Sequence, residues 1–137
     1  AVWESLEYTP DLLIFDGAGI AHPRQCGLAA HLGWRWDVSA FGCAKSRLYG
    51  SANTVGQCKG DAEPLMHKNT QIGHVLRTRS RVKPVYVSPG HQTTLEITRE
   101  WTMKTVTKYK LPEPVRQADH QTKLMAQEFM EKQRARS

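Results

Sequence analysis

An aspartate and two glycines follow the most apolar segment near the start of the chain. Asp16 comes directly after the run Leu12 to Phe15, and Gly17 and Gly19 follow it. A short apolar run between turn residues predicts a buried strand, and the carboxyl ends of such strands face the ligand crevice of open α/β sheets. A carboxylate beside glycines that allow close backbone approach suits a metal ion acting on a phosphodiester. The alternative is that Asp16 caps a turn, and spacing alone favours this simpler interpretation.

The residues that follow add a candidate phosphate site. We expect a helix to begin near Pro23, because proline suits a first helical turn, and to end at Gly33. Its first N–H groups, near His22 to Arg24, would offer donors and the positive dipole end to a phosphate. Lys45 follows a second strand-like run over 38–44, where a cation could hold a phosphate or stabilise a leaving oxygen. Such a lysine is more often simply solvated.

Three further ionisable residues lie near predicted turns or helix starts. Asp119, in the first turns of the last predicted helix, could project into the same crevice, although the pattern favours a solvated acid at a helix start. His120 points about 100° away around that helix, so only one of the pair can face the site. His91 follows a Ser-Pro-Gly turn and could act as an acid or phosphate contact. The alternative for His91, and for His22, is a turn histidine with local hydrogen bonds.

Basic residues recur at every second position from Arg77 to Lys83. On one continuous strand they would form a cationic row, which could follow a nucleic-acid backbone or protect a sheet edge. A predicted turn near Ser80-Arg81 interrupts the row, so the pattern carries little weight. The net charge of +6 and the isoelectric point near 9.4 favour polyanionic partners without identifying one.

Strand-like and helix-like segments alternate along the chain, which predicts one α/β domain over residues 1–137. We expect the end of a helix over 2–8, strands over 12–15, 38–44, 71–79 and 83–87, a loop over 50–63, a helix over 93–109, a rigid connector over 111–114, and a last helix from about 115 whose tail frays from 131. The elements would place the strand-end residues at one crevice.

Several classes of protein are excluded or disfavoured by composition. The longest apolar run has four residues, whereas a bilayer span needs roughly 20, so no membrane partner is expected. Cys26, Cys43 and Cys58 lack pair spacing, which disfavours a disulfide framework or a paired-cysteine zinc site. Without a secretory signal, we expect a cytoplasmic protein with reduced thiols, and a monomer. The chain opens without methionine in helix-like sequence, which suggests a piece of something longer.

The run from Asp16 to Arg24 resembles the signature of the endonuclease V family. Similar residues continue in family order over nearly the whole chain, at 27–29, 31–33, 42–50, 64–66, 75–79, 83–85, 87–91 and 109–114. The resemblance implies a ribonuclease H-like fold, with a mixed sheet flanked by helices. It also implies a DNA repair endonuclease that recognises deoxyinosine and hydrolyses the second phosphodiester on its 3′ side, with Mg²⁺ or Mn²⁺.

The resemblance assigns roles to individual residues. Asp16 matches the metal-binding aspartate of the family, and Asp119 matches a late position that holds aspartate or histidine. Lys45 matches a lysine near the scissile phosphate. His91 is also expected to be a catalytic residue, which contacts either the phosphate or one of the metal ligands. The residues expected around the flipped hypoxanthine are Gly17, Gly19, His22, Ala44 and Leu48.

This chain departs from the family pattern in places. Ala18 stands where histidine or glutamine is usual, Gln92 where arginine is common, and the segments 34–36 and 39–40 also differ, which affects substrate grip and local packing more than fold. A first catalytic aspartate, a glutamate and an aromatic wedge loop have no counterpart here. We expect them, with the first strands of the sheet, before Ala1, and we expect the chain to be inactive alone. Two rivals stay open: a non-catalytic nucleic-acid-binding remnant and an endonuclease for inosine-containing RNA.

Overall fold

The described part of the chain forms a five-stranded mixed sheet with helices on both faces. The structure, a computed structural model, describes residues 10–24 and 26–136, without the side chains of Asp119, Thr122, Lys123 and Arg136. The strands are β1 (Leu13–Asp16), β2 (Ala40–Ala44), β3 (Ala62–His67), β4 (Thr70–Leu76) and β5 (Val85–Pro89). The helices are α1 (Leu28–Trp36), α2 (Leu95–Thr105) and α3 (Glu113–Arg136). The predicted α/β architecture is confirmed.

The order of the strands is β1-β2-β5-β4-β3, and their directions define two edges. β1 and β2 are parallel, so their carboxyl ends, with Asp16 opposite Cys43, lie together at what we call the upper edge. β5 runs antiparallel to β2, and β4 antiparallel to β5, so the connection 77–84 also lies at the upper edge. The end of β5 and the β3–β4 hairpin lie at the opposite, lower edge.

One face of the sheet packs against α2 and α3. Its buried apolar cluster consists of Cys43, Leu76, Val85, Val87, Leu111 and Val115. α2 starts at Thr94, whose side-chain oxygen accepts a hydrogen bond from Ile97 N at 3.2 Å, as an N-cap threonine should. Burying this face anchors both helices and fixes the loop between them at the upper edge.

The other face packs against α1 and two long loops. Its cluster consists of Ala21, Val55, Leu65, Ile72 and Val75, with Ile20, Tyr49, Ala52 and Tyr86 packed beside it. The segments 17–22 and 49–55 therefore cross this face of the sheet. α1 contributes the buried residues Ala29 and Gly33. No helix in the described ranges is long and apolar enough to cross a membrane.

The prediction for the first helix was wrong at both ends. α1 begins at Leu28 rather than near Pro23, because the N–H groups of Gly27 and Ala29 are taken by carbonyls of the loop that precedes it. It runs past Gly33 to Trp36, and Asp37 ends it in a left-handed conformation with φ 51°. Gly33 lies within the helix. Glycine is needed there because an added Cβ atom would lie 2.7 Å from His91 Cβ and 2.9 Å from Ala40 Cβ on β2.

Other elements differ from the sequence-based expectation. β3 was not predicted, and it contains Pro64; proline is tolerated there because β3 is an edge strand. α2 ends at Thr105, four residues early, because Val106 pairs with Pro112 in a bridge. α3 begins at Glu113 and continues through the tail that was expected to fray. The helix predicted over 2–8 lies outside the described residues.

Candidate active site and nucleic-acid interface

Asp16 ends β1 at the upper edge, with an exposed side chain. Ile14, two residues earlier on the same side of the strand, packs into the cluster beneath α2 and α3, so Asp16 also faces that side. The neighbouring Cys43 is buried, and burial first and the Asp16 charge second raise the pKa of its thiol to about 12. Cys43 therefore stays protonated and is no nucleophile at neutral pH.

Lys45 lies one residue beyond the end of β2 and is exposed. Because β1 and β2 are parallel neighbours, Asp16 and Lys45 lie at adjacent strand ends. The convergence expected from the sequence for these two residues is therefore present in the fold. A carboxylate and an ammonium group at one edge are the side-chain types that suit a metal ligand and a phosphate contact.

Asp119 lies on α3, a helix that contacts β1. It follows Val115 by about one helical turn, and Val115 is fully buried against the sheet. The side chain of Asp119 lies outside the described residues, so its convergence with Asp16 stays a prediction. His120, its neighbour, is exposed.

The donor type at the upper edge fits magnesium. Mg²⁺ takes hard oxygen ligands and commonly uses one or two protein carboxylates together with phosphate oxygens, and Asp16 presents such a carboxylate. Among the described side chains, which do not include that of Asp119, no group of three or more from His, Cys, Asp or Glu is placed to hold a metal ion. The described residues thus offer one carboxylate of the type that a magnesium ion would need.

The loop after Asp16 is held tightly on the sheet. Gly19 N donates to Ser88 Oγ at 2.7 Å, and Ile20 N donates to Pro89 O at 2.7 Å. A Cβ atom added at Gly19 would overlap the Pro89 carbonyl. Gly19 is thus required for packing against β5, and its expected contact with a ligand stays a prediction.

The phosphate site expected at a helix start near His22 to Arg24 is absent from the described structure. No helix begins there, and Arg24 N donates to His22 Nδ1 at 3.1 Å. This hydrogen bond determines which ring nitrogen of neutral His22 carries the proton. Because Nδ1 is the acceptor, the neutral ring carries its proton on Nε2, which makes Nε2–H a donor.

The segments expected to surround the base come together on the face that α1 covers. Ile20 and Ala21 pack in one cluster with Tyr49, and Gly17 N donates to Cys43 O at 3.3 Å, beside Ala44. Leu48 is 59% exposed, so it is accessible to a ligand. The structure thus gathers 17–22 and 44–49 into one region next to Asp16.

His91 lies away from this region, at the lower edge. Its Nε2 atom is 2.9 Å from Asp37 Oδ1, and Gln92 Nε2 donates to the same oxygen at 3.0 Å. Ala40 N donates to the His91 carbonyl at 2.8 Å, at the start of β2. The expectation that His91 joins the catalytic group was wrong, because β5 runs antiparallel to β1 and β2 and ends at the opposite edge.

The alternating basic residues do not form a row. Arg77 is 7% exposed and donates to three carbonyls, those of Gly56 at 2.9 Å, Val82 at 2.7 Å and Val55 at 3.4 Å. Arg81 lies in a turn with φ 63°, which confirms the predicted interruption. Arg77 therefore fastens a loop to the β4–β5 connection.

The loop between α2 and α3 was not among the sites predicted from the sequence. This loop carries Lys108, Tyr109 and Lys110 at the upper edge, and Tyr109 is 52% exposed. An aromatic residue between two lysines is the signal that could have found it, because nucleic-acid surfaces combine stacking faces with cations.

Comparisons with known proteins agree on one family. The family model described as Endonuclease V matches residues 1–120. Endonuclease V of Dictyoglomus turgidum is 48% identical over 123 residues, which are 90% of this chain and 54% of that protein. The chain therefore spans about half the length of the curated relatives it matches.

Solved structures of endonuclease V proteins have the same fold as this chain. Endonuclease V of Bacillus subtilis superposes with a TM-score of 0.91 at 29% identity, over 94% of this chain and 56% of that one. Endonuclease V of Ciona intestinalis, in complex with a 24mer DNA containing an inosine followed by a ribo-adenosine, superposes with a TM-score of 0.74. It covers 93% of this chain and 60% of that one at 23% identity, which shows the fold alone. The predicted ribonuclease H-like fold is confirmed.

Proposed function

This chain belongs to the endonuclease V family, and we propose that it acts in a DNA repair endonuclease that recognises deoxyinosine. The proposed reaction is hydrolysis of the second phosphodiester on the 3′ side of deoxyinosine, with Mg²⁺ or Mn²⁺. The observation that carries the proposal is the position of Asp16 and Lys45 at adjacent parallel strand ends. These residues match the metal-binding aspartate and the phosphate-contacting lysine implied by the family resemblance.

Each proposed role follows from the chemistry of the side chain. Asp16 would hold the metal, with Asp119 as a second carboxylate, and the metal would supply Lewis acidity and an activated water. The Lys45 ammonium group would neutralise charge that builds on the phosphate oxygens during hydrolysis. The proposed nucleophile is a water molecule, and the buried Cys43 thiol, whose pKa is raised by burial, does not compete with it.

The base would lie against the segments 17–22 and 44–49. A base must leave the stack before all its edges can be inspected, so a flipped hypoxanthine is the proposed ligand. His22 Nε2–H is a donor that suits the O6 or N7 acceptor of a purine. Leu48 offers an exposed apolar side chain against which a base can pack.

The test is cleavage of end-labelled duplexes that differ only in deoxyinosine or deoxyadenosine at one position. This chain covers 54% of the Dictyoglomus turgidum relative. It is joined to the N-terminal half of that protein, where the family resemblance implies the remaining metal-binding acids. We expect one nick at the second 3′ phosphodiester of the deoxyinosine strand, with magnesium and not with EDTA.

Two outcomes separate the proposal from its rivals. Binding without any cleavage by the joined protein would identify a nucleic-acid-binding module instead. Cleavage of inosine-containing RNA with no cleavage of the matched DNA would identify an endoribonuclease, because the 2′-hydroxyl separates the two substrates.

A further inference from the structure

A groove of about 470 Å³ opens at the upper edge, between the β4–β5 connection and the α2–α3 loop. One wall carries Arg79 and Val82, and the other carries Lys108, Tyr109, Lys110 and Arg116. Four of these residues are cationic, while the lining surface itself is largely apolar and includes Val82, Tyr109 and Leu111. Lys59, at a neighbouring cavity that Arg79 also lines, extends the positive surface.

Tyr109 forms a stacking platform on one wall of this groove. The Arg116 guanidinium lies over the Tyr109 ring, with Arg116 Cζ 4.4 Å from the ring centroid. Tyr109 is still 52% exposed. Two hydrogen bonds of 3.1 Å to Glu113 hold the guanidinium in place. Glu113 Oε1 also accepts from Thr107 Oγ1 at 2.7 Å. The ring is therefore positioned before any ligand arrives, which reduces the entropy lost on binding.

The two walls are fastened to each other. Val106 pairs with Pro112 in a bridge that closes the loop between α2 and α3. Thr78, which is fully buried next to Arg79, donates through Oγ1 to Lys110 O at 2.6 Å. These contacts fix the distance between the two walls, so the groove is formed before a ligand binds.

The groove lies beside the candidate active site. Both of its walls are at the upper edge, where β1 and β2 end. β5, which the 77–84 connection leads into, is the direct neighbour of β2 in the sheet. Nucleic acid bound at Asp16 can therefore continue into the groove.

The charge and shape of the groove identify its occupant. Glu113, the acid at this wall, is paired with Arg116, so the groove presents positive charge to a ligand. Cations beside an exposed aromatic face are the combination that binds single-stranded nucleic acid without sequence preference. We propose that this groove binds an unpaired stretch of nucleic acid, with one base stacked on Tyr109 and phosphates contacting Arg79, Lys108 and Lys110. The proposed function is needed only to place that stretch beside the site at Asp16.

The main test measures binding of the 137-residue chain to a short fluorescein-labelled oligo-dT, which contains no inosine. Tyr109→Ala is expected to weaken binding about tenfold, because it removes the aromatic ring on which one base stacks. Tyr109→Phe should bind like the wild type. Trp34→Ala is the matched control, because Trp34 is an exposed aromatic residue on α1.

Salt dependence tests the proposed phosphate contacts. Lys108→Gln and Lys110→Gln should each lower the slope of log affinity against log salt by about 0.7, the value for one phosphate on a single strand. Arg35→Gln, on exposed α1 surface, should leave the slope unchanged. Circular dichroism melts check that the variants fold.

A second measurement needs no variant. Photo-crosslinking of the wild-type chain to oligonucleotides carrying 5-iodouracil should identify Tyr109 by mass spectrometry. A folded Tyr109→Ala protein with wild-type affinity, or crosslinks confined to other residues, would overturn the proposal. Preference for an acidic peptide over oligo-dT would also overturn it and indicate a protein partner. If the joined protein does not cleave inosine-containing DNA, the proposed function is contradicted but the groove proposal is not. The groove is tested with oligo-dT, which contains no inosine.

Discussion

Asp16 is the residue on which the proposed chemistry most depends. In the protein joined to its relative's N-terminal half, Asp16→Asn is expected to lower the single-turnover cleavage rate by at least about 100-fold. DNA affinity should change little, because lysine and arginine contacts to phosphates provide most of it. Asp11→Asn is the control, since Asp11 is exposed just before β1. Near-normal cleavage with magnesium would show that Asp16 is not a metal ligand.

Lys45 is expected to act on the rate more than on binding. Lys45→Gln should slow single-turnover cleavage by about 10- to 100-fold, because its charge matters most as charge develops on the phosphate. Lys68→Gln, in the turn at the lower edge, should have no effect. An equal loss in cleavage rate and titrated affinity would instead make Lys45 a general backbone contact.

Arg77 is expected to act on stability. Arg77→Met keeps much of the length and removes the donors to Gly56 O and Val82 O. A hydrogen bond from a charged donor contributes about 1.5–3 kcal/mol, and both of these bonds are part-buried, so we expect the free energy of unfolding to fall by about 2–4 kcal/mol. Urea unfolding measures this, with the exposed Arg81→Met as control. If the two variants lose equal stability, Arg77 does not have this role.

At the scale of elements, the sequence predicted the positions of most strands but not their directions in the sheet. Asp16 and Lys45 were placed correctly because both follow apolar runs, and parallel neighbours end at one edge. His91 also follows an apolar run, yet β5 is antiparallel and carries it to the other edge. Strand direction depends on pairing between distant segments, which a local pattern does not contain. β3 was missed because Pro64 counts against a strand unless its edge position is known.

The contact between the 17–19 loop and β2 gives a prediction at this scale. A Cβ added at Gly42 would overlap the Gly17 carbonyl and lie 2.8 Å from Gly19 N, and backbone atoms cannot move aside as a flexible side chain can. We expect Gly42→Ala to lower the free energy of unfolding by about 1–3 kcal/mol. In the joined protein it should also slow cleavage, because Asp16 immediately precedes this loop. Unchanged melting and cleavage would mean that the loop adjusts freely.

For the whole molecule, composition predicted the kind of partner but not the surface. The net charge of +6 favoured a polyanion, and the fold collects part of that charge at the upper edge. Arg79 and Lys108 are far apart in sequence, so the groove exists only after β4, β5 and α2 have packed. Composition therefore favoured a polyanionic partner without locating the groove.

The last prediction concerns the 137-residue chain alone. Among the described side chains, the upper edge presents one exposed strand-end carboxylate, Asp16, and no three-residue metal group. Magnesium held by so few protein ligands binds weakly, so we expect no magnesium-dependent nicking of inosine-containing DNA. The groove does not depend on a metal, so we still expect the chain to bind oligo-dT with an affinity that falls as salt rises.

The measurement compares the chain alone with the chain joined to the N-terminal half of the Dictyoglomus turgidum relative. Both receive the same labelled duplexes, with magnesium or EDTA, and Asp16→Asn in the joined protein controls for a contaminating nuclease. We expect nicking from the joined protein only, because it adds the segment in which the family resemblance places the other metal-binding acids. Robust nicking by the chain alone that is lost on Asp16→Asn would show that its own carboxylates suffice to hold the metal.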